Sequence, residues 1–127
     1  MIVLDTSAII ALLSDEPGAD KVRDALPSSV VSAVNYAEAL SRYERDNRDS
    51  RAIAAHLTSE VREIVPFDAA LAYTVAHLIR QTRPLGLSLG DRCCLGLAID
   101  RSASVLTADR VWLRLQLPTP LEIKSIR

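Results

Sequence analysis

Two short apolar runs, each ending at an aspartate, constrain the fold of this chain more than any other feature. They are Ile2-Val3-Leu4-Asp5 and Val105-Leu106-Thr107-Ala108-Asp109. Short runs of this kind are typical of strands buried on both faces in a parallel sheet. Because ligands bind at the carboxyl ends of such strands, Asp5 and Asp109 are predicted to lie at a functional edge of the sheet.

Strand and helix signals alternate along the rest of the chain. Helices are predicted over about 7–13, 19–26 and 34–46, along the stripe Ile53, Leu57, Val61 and Ile64, after Asp68 along Leu71, Val75, Leu78 and Ile79, and over 88–101. Further strands are predicted at 30–31, 64–65, 105–107 and 121–126. This alternation predicts a parallel sheet covered by helices on both faces, in one domain spanning residues 1–127. The first strand is expected to be central, because it leads directly into a helix that is apolar all round.

Composition permits a nucleic-acid substrate without requiring one. The formal net charge is −1, from 15 basic and 16 acidic residues. If four of the acids form a cation-filled site, 12 acidic residues remain against 15 basic ones, a balance of +3 on the rest of the protein. A mildly basic body around such a site is compatible with a polyanionic substrate.

The cysteines and the apolar runs predict a cytoplasmic protein with no membrane association. Cys93 and Cys94 are adjacent in a helical stretch, so their side chains diverge and a mutual disulfide is not expected. Free buried thiols suit a reducing cytosol. The apolar run Ala8–Leu13 is too short to span a bilayer, and Asp5 interrupts the N-terminal run, which argues against a signal peptide.

Two further acids lie three residues into helix-like segments. Glu38 ends the segment Asn35-Tyr36-Ala37-Glu38, and Asp91 ends Ser88-Leu89-Gly90-Asp91. Helix starts and strand ends meet at one edge of a parallel sheet, so Asp5, Glu38, Asp91 and Asp109 are expected to converge. Crowded carboxylates repel one another, and a hard divalent cation relieves that repulsion.

Helix capping is the alternative explanation for each acid taken alone. Asp5-Thr6 suits the start of the first helix, and Asp109 suits a short helix that holds Trp112. Asn35-x-x-Glu38 resembles a capping arrangement, and Glu38 with Arg42 has the spacing of an i,i+4 ion pair. Ser88-x-x-Asp91 is close to a capping box, although Asp91 shares its helix face with apolar residues.

The order and local sequence of the four acids resemble the PIN-domain nucleases, most closely the VapC-type toxins of bacterial toxin–antitoxin pairs. The resemblance covers essentially the whole chain. The segments that carry it are Val3-Leu4-Asp5-Thr6-Ser7, Asn35-Tyr36-Ala37-Glu38, Leu87-Ser88-Leu89-Gly90-Asp91 and Leu106-Thr107-Ala108-Asp109-Arg110.

This resemblance implies a fold, a chemistry and a set of partners. The fold is a three-layer α/β/α sandwich with a central, mainly parallel five-stranded sheet. The site residues are Asp5, Glu38, Asp91 and Asp109, accompanied by the hydroxyls of Thr6, Ser88 and Thr107. They would hold one or two Mg²⁺ ions, or Mn²⁺, and cleave RNA. The protein would form a homodimer and be held inactive by a cognate antitoxin.

A two-ion arrangement gives each acid a role. Asp5 and Asp109 are expected to anchor a first ion, while Asp91 and Glu38 hold a second or position the attacking water. Attack by water leaves a 3′-hydroxyl and a 5′-phosphate. The rival hypothesis is a non-catalytic protein of the same fold that acts through a protein or nucleic-acid partner.

Other sequence features carry less chemistry. No D-x-D phosphatase signature follows the first strand, and no glycine-rich phosphate loop is present. His56 and His77 lie far from the acidic motifs. Arg92 and Arg110 directly follow two of the acids. They are interpreted either as contacts for substrate phosphates or as ordinary surface or salt-bridge residues. Candidate antitoxin contacts, with core packing as the alternative, are Tyr36, Leu40, Tyr43 and Trp112.

Overall fold

Five parallel strands form one sheet at the centre of the protein. A computed structural model describes all 127 residues. The strands are β1 (Ile2–Leu4), β2 (Ser29–Ser32), β3 (Glu63–Val65), β4 (Ser104–Thr107) and β5 (Ile123–Ser125). Their order in the sheet is β3-β2-β1-β4-β5, and every neighbouring pair is parallel. The predicted central position of the first strand is therefore confirmed.

Helices connect the strands in sequence order. They are α1 (Thr6–Leu13), α2 (Ala19–Ala25), α3 (Ala33–Arg45), α4 (Ser50–Glu60), α5 (Ala69–Ala76), α6 (Ile79–Thr82) and α7 (Leu89–Arg101). Three 3₁₀ turns complete the chain, at Leu26–Ser28, Arg83–Leu85 and Arg110–Arg114. No helix is both long and apolar enough to cross a membrane.

Side chains that alternate along the strands divide the core into two clusters. Leu4, Val31 and Leu106 pack with residues of α1, α2, α3 and α4. Their neighbours Val3 and Val105 join the opposite cluster, with residues of α5 and α7. Successive side chains of a strand point to opposite faces, so both faces of the sheet are covered. This arrangement confirms the three-layer α/β/α prediction.

The predicted helix after Asp68 is shorter than its apolar stripe suggested. Asp68 caps α5 as expected, and Leu71, Val75 and Leu78 are buried. However, α5 ends at Ala76, and the chain turns before the short α6 begins at Ile79. The turn rotates Ile79 out of the stripe, and its side chain is exposed. The prediction that it shares the buried face was wrong.

The strand order reverses beside β1, and the reversal point marks the expected position of a ligand site on the carboxyl edge of the sheet. From β1 the chain moves to β2 and β3 on one side, whereas β4 and β5 lie on the other. Leu4 pairs with Leu106, so Asp5 and Thr107 leave the sheet side by side. Ligand sites of open parallel sheets lie at such reversal points.

Candidate acidic site

Asp5 lies at the centre of the carboxyl edge and is almost completely buried, with 2% of its surface exposed. It caps α1 by accepting the backbone N–H of Ala8 at 2.8 Å. Hydroxyls of Ser7 and Thr107 each lie 2.8 Å from its Oδ2. Burial nevertheless raises the pKa of Asp5 to about 6, and the charge of Asp91 adds to that rise. Both carboxylate oxygens are thus held rigidly by the protein.

Ser7 is a site residue that the sequence did not single out. Its hydroxyl donates to Asp5, and its oxygen accepts the backbone N–H of Ala108 at 2.9 Å. Thr107, at the end of β4, makes an equivalent pair of hydrogen bonds. Its hydroxyl donates to Asp5 and accepts the backbone N–H of Asp109 at 3.0 Å. The two hydroxyls link the end of β1 to the loop after β4. Ser7 follows Asp5-Thr6 directly, but sequence spacing alone did not distinguish it from a helix residue.

Glu38 reaches the site from α3 and is held by α1. The hydroxyl of Thr6 donates to Glu38 Oε1 at 2.6 Å, and the amide of Asn35 donates to the same atom at 3.1 Å. No ion pair joins Glu38 to Arg42, so that local explanation was wrong. Helix α3 begins at Ala33, one residue before its predicted start, and Ser32 is its cap, so Asn35 is not a capping residue.

Asn35 is fully buried and connects three helices at the site. Its amide nitrogen donates to Thr6 Oγ1 at 3.1 Å, to Glu38 Oε1 and to the backbone oxygen of Gly90 at 3.0 Å. Its side-chain oxygen has no partner. Gly90 belongs to this junction because a Cβ there would overlap the Glu38 carboxylate. The sequence signal for both residues was their position beside a candidate acid.

Asp91 lies in the first turn of α7, where it forms a complete capping box with Ser88. The backbone N–H of Ser88 donates to Asp91 Oδ2 at 2.8 Å, and Ser88 Oγ accepts the N–H of Asp91 at 3.2 Å. Partial burial raises the pKa of Asp91 despite these bonds, and the charges of Glu38 and Asp109 raise it further. The charge of Asp91 in turn contributes to the raised pKa of Asp5, so Asp91 interacts electrostatically with each of the other three acids.

Asp109 is the most peripheral of the four acids. It follows β4, is exposed, and caps the 3₁₀ turn at Arg110–Arg114 by accepting the N–H of Val111 at 3.0 Å. Its own backbone N–H is held by Thr107, which also bonds Asp5. The loop after β4 is thereby tied to the buried end of β1.

Capping and convergence are both realised in this structure. Asp5, Asp91 and Asp109 each accept a backbone N–H at the start of a helix or 3₁₀ turn, as the alternative explanation required. The helices that follow β1 and β4 begin at the carboxyl edge of the sheet, and α7 also begins there. Their capping acids consequently lie at the same edge, where the charge of Asp91 raises the pKa of Asp5 and the charge of Asp109 raises the pKa of Asp91. Capping alone therefore does not argue against a common site.

The other residues considered from sequence lie in different surroundings. Tyr43 and Trp112 are buried in the two core clusters, whereas Tyr36 is only partly buried. His77 packs against the exposed ring of Tyr73 on the surface. Arg92 is partly buried, and its Nη1 donates to the backbone oxygen of Val75 at 3.4 Å.

None of the four site acids forms an ion pair with a lysine or arginine. The four ion pairs of the protein involve other carboxylates, those of Glu16, Asp46, Glu63 and Glu122. In three of the site acids, one carboxylate oxygen accepts a hydrogen bond from the protein, whereas the other carboxylate oxygen accepts none. These second oxygens are Glu38 Oε2, Asp91 Oδ1 and Asp109 Oδ2.

These carboxylate oxygens suit a divalent cation that keeps part of its hydration shell better than one fully enclosed by protein ligands. Carboxylate oxygens are the ligands that Mg²⁺ and Mn²⁺ prefer. No three His, Cys, Asp or Glu side chains form a preassembled ligand set in this structure. Mg²⁺ usually keeps several waters and contacts only one or two carboxylates, so a preassembled set is not required.

Comparisons with known proteins identify the family of this chain. The PIN domain family model matches residues 2–116. Ribonuclease VapC42 of Mycobacterium tuberculosis is 34% identical over 106 residues, which cover 76% of this chain and 81% of VapC42.

Solved structures share the fold at low sequence identity. A toxin-antitoxin complex from Klebsiella pneumoniae matches with a TM-score of 0.73 and 21% identity, covering 97% of this chain and all of that chain. VapBC2 of Rickettsia felis, bound to a promoter DNA fragment, matches with a TM-score of 0.75 and 17% identity over 98% of both chains. The family match and the 34% identity to VapC42 establish that the chain is a member of the PIN domain family, of the VapC type.

Proposed function

We propose that this protein is a metal-dependent endoribonuclease and the toxin of a toxin–antitoxin pair. The observation that carries the proposal is the occurrence of four carboxylates at the carboxyl edge of the sheet, by the strand-order reversal, none of which forms an ion pair. The raised pKa of Asp5 and of Asp91 supports it, because burial, and to a lesser extent neighbouring carboxylates, disfavour the charge of both acids in the metal-free protein. The relatives named as VapC ribonucleases support the choice of RNA as substrate.

The four acids have unequal roles in this proposal. Asp5 and Asp109 anchor a first Mg²⁺ or Mn²⁺ ion, while Asp91 and Glu38 hold a second ion or orient the attacking water. Thr6, Ser88 and Thr107 position the acids, and the structure adds Ser7 and Asn35 to this supporting group. Supporting hydrogen bonds of this kind fix the orientation of metal ligands.

The bound ion would lower the pKa of a water and offset the negative charge that develops on the phosphodiester. The protein's own contribution is orientation. Thr6 and Asn35 hold Glu38 through Oε1, which leaves Glu38 Oε2 as the atom available to accept a proton from the attacking water. Water attack predicts products with 3′-hydroxyl and 5′-phosphate ends.

An antitoxin and a second copy of the chain are the proposed protein partners. The structures that share this fold include a toxin-antitoxin complex and VapBC assemblies, which supports an antitoxin. Of the four contact candidates, Tyr43 and Trp112 are occupied in the core, so Tyr36 and Leu40 remain. Two buried free cysteines support a reducing compartment such as the cytosol.

RNA cleavage with and without metal tests the proposal directly. The purified protein should cleave single-stranded RNA with Mg²⁺ or Mn²⁺, lose that activity in EDTA, and produce 5′-phosphate ends. Mg²⁺ should also raise the melting temperature, and the Asp5→Asn/Asp91→Asn double variant should lose this response. Metal-independent cleavage would contradict the proposal. A folded wild type that binds neither metal nor cleaves RNA would favour the non-catalytic binding protein.

A further inference from the structure

A small cavity borders the acidic site on the side of Asp109. Its volume is about 220 Å³, and Ser7, Ala108 and Asp109 form the part shared with the site. Arg42 of α3 and Arg127 at the end of the chain form the other walls. The cavity therefore joins the acid group to two guanidinium groups that come from distant parts of the sequence.

The two arginines differ in their availability. Arg127 is paired with Glu16 at 3.3 Å, so its charge is already compensated. Arg42 is exposed and has no ion pair, although Glu38 lies one helical turn before it and Asp109 lines the same cavity. Thr6 and Asn35 hold Glu38 instead. An uncompensated guanidinium beside the acid group is thus free to bind an external anion.

We propose that Arg42 binds a backbone phosphate of the RNA next to the one that is cleaved. This inference rests on the proposed ribonuclease function and adds a substrate contact to it. An anionic RNA strand is repelled by carboxylates, and a neighbouring guanidinium provides compensating attraction. Guanidinium groups bind phosphate oxygens through paired N–H donors. The cavity places Arg42 beside Ser7 and Asp109, so the bound strand would run from the acid group along α3.

Binding and cleavage experiments separate this role from general charge effects. RNA affinity is measured by fluorescence anisotropy in an Asp5→Asn background with Mg²⁺, using a labelled mixed-sequence single-stranded oligoribonucleotide at several NaCl concentrations. Arg42→Gln should weaken binding about three- to fivefold, as expected for one exposed ionic contact. It should also make the slope of log affinity against log salt about 0.7 less negative, since one phosphate contact is lost. Arg42→Lys should retain the slope.

Arg62→Gln is the matched control. Arg62 is exposed and immediately precedes β3, so it lies at the amino edge of the sheet, opposite the acidic site. The Arg62→Gln substitution removes the same charge from the protein but should leave the RNA affinity and the salt slope close to those of the Asp5→Asn parent. In otherwise wild-type protein, Arg42→Gln should raise KM for RNA with little change in kcat, because the contact exists in both ground and transition states.

Each outcome bears on a different claim. If the Arg42→Gln and Arg62→Gln variants had the same RNA affinity and salt slope, the phosphate contact would be overturned, while the proposed ribonuclease function would be unaffected. Loss of antitoxin binding in Arg42→Gln, with unchanged RNA affinity, would overturn it too and assign the surface to a protein partner. Arg42-dependent RNA binding by a wild type that cleaves no RNA would support the contact but contradict the nuclease function.

Discussion

Thr107 Oγ1 donates a 2.8 Å hydrogen bond to Asp5 Oδ2, across a separation of 102 residues in sequence. The bond joins the ends of the two central strands and buries Asp5 beneath the site. Because the surrounding hydrogen bonds do not offset the cost of burial, the Asp5 pKa remains raised to about 6. The acid that the proposed chemistry needs is therefore a source of instability in the metal-free protein.

Asp5→Asn should abolish metal-dependent RNA cleavage and stabilise the metal-free protein. The amide removes the buried charge but keeps an oxygen that can accept the Ala8 N–H. The stabilisation at pH 7 should reach up to about 3 kcal/mol, which is the free-energy equivalent of the raised pKa. Chemical denaturation in EDTA and RNA cleavage in Mg²⁺ measure the two effects.

Asp68→Asn provides the matched control for this substitution. Asp68 also caps a helix, by accepting the N–H of Leu71 at 2.9 Å, but it is exposed and lies outside the acid group. Asn caps helices about as well as Asp. Neither stability nor cleavage should change appreciably. A wild-type level of cleavage in Asp5→Asn would remove Asp5 from the proposed site.

The advantage of Asp5→Asn over wild type should depend on pH. The folded protein binds a proton at Asp5 up to about pH 6, whereas the unfolded chain releases it near pH 3.8. Rising pH therefore destabilises the wild type relative to the variant across this interval. The difference in unfolding free energy should be small near pH 4 and reach its plateau above about pH 6. Denaturation curves for both proteins in EDTA test this, and a difference independent of pH would contradict the raised pKa.

Gly90→Ala should reduce RNA cleavage much more than it reduces stability. The new methyl group would occupy the position of the Glu38 carboxylate, which lies at the end of a flexible side chain and can move away. Moving it breaks the bonds from Thr6 and Asn35 to Glu38 Oε1. We expect kcat to fall about 10- to 100-fold, the range found when the hydrogen bonds that orient a metal ligand are lost. Stability should change by no more than about 1 kcal/mol, because alanine also favours the helix.

Gly96→Ala, on the same helix, should have the opposite pattern. A Cβ at Gly96 would lie 2.8 Å from a methyl carbon of Val75, at the packed contact between α5 and α7. The substitution should lower stability by about 1–3 kcal/mol through overpacking and leave kcat largely unchanged in the folded protein. If Gly90→Ala and Gly96→Ala changed stability and kcat alike, Gly90 would have no special relation to Glu38.

Two substitutions of Asn35 distinguish hydrogen bonding from simple packing. Asn35→Ala removes three donated bonds and should cost about 1–3 kcal/mol of stability. Asn35→Asp preserves the shape but places a carboxylate beside Glu38 and the backbone oxygen of Gly90. It should destabilise the metal-free protein more than alanine does, and Mg²⁺ should restore more of the loss. Thermal denaturation with and without Mg²⁺ measures both, and an aspartate variant as stable as wild type would contradict the assigned bonds.

Much of the fold followed from local patterns. The apolar run Ile2–Leu4 and the helix after it predicted a central buried strand, which the sheet order confirms. The prediction of a buried stripe after Asp68 was wrong at Ile79. The apolar periodicity of the sequence continues through residues 77–78, whereas the helix is interrupted there by a turn. The contacts of Ser7 and Asn35 were also beyond local patterns, since their partners lie 101 and 55 residues away.

The sequence by itself determined most of the elements, the order of the four acids and the capping roles of Asp5, Asp91 and Asp109, because these depend on residues only a few positions apart. Tertiary structure decided that these caps lie at the same edge of the sheet. In a parallel sheet the strands end, and the following helices begin, at the same edge, so capping carboxylates are brought together. It also decided which partner each acid takes: Glu38 is held by Thr6 rather than by Arg42, and Asp5 is buried against Thr107. Such choices depend on the packing of distant segments, which no local pattern encodes.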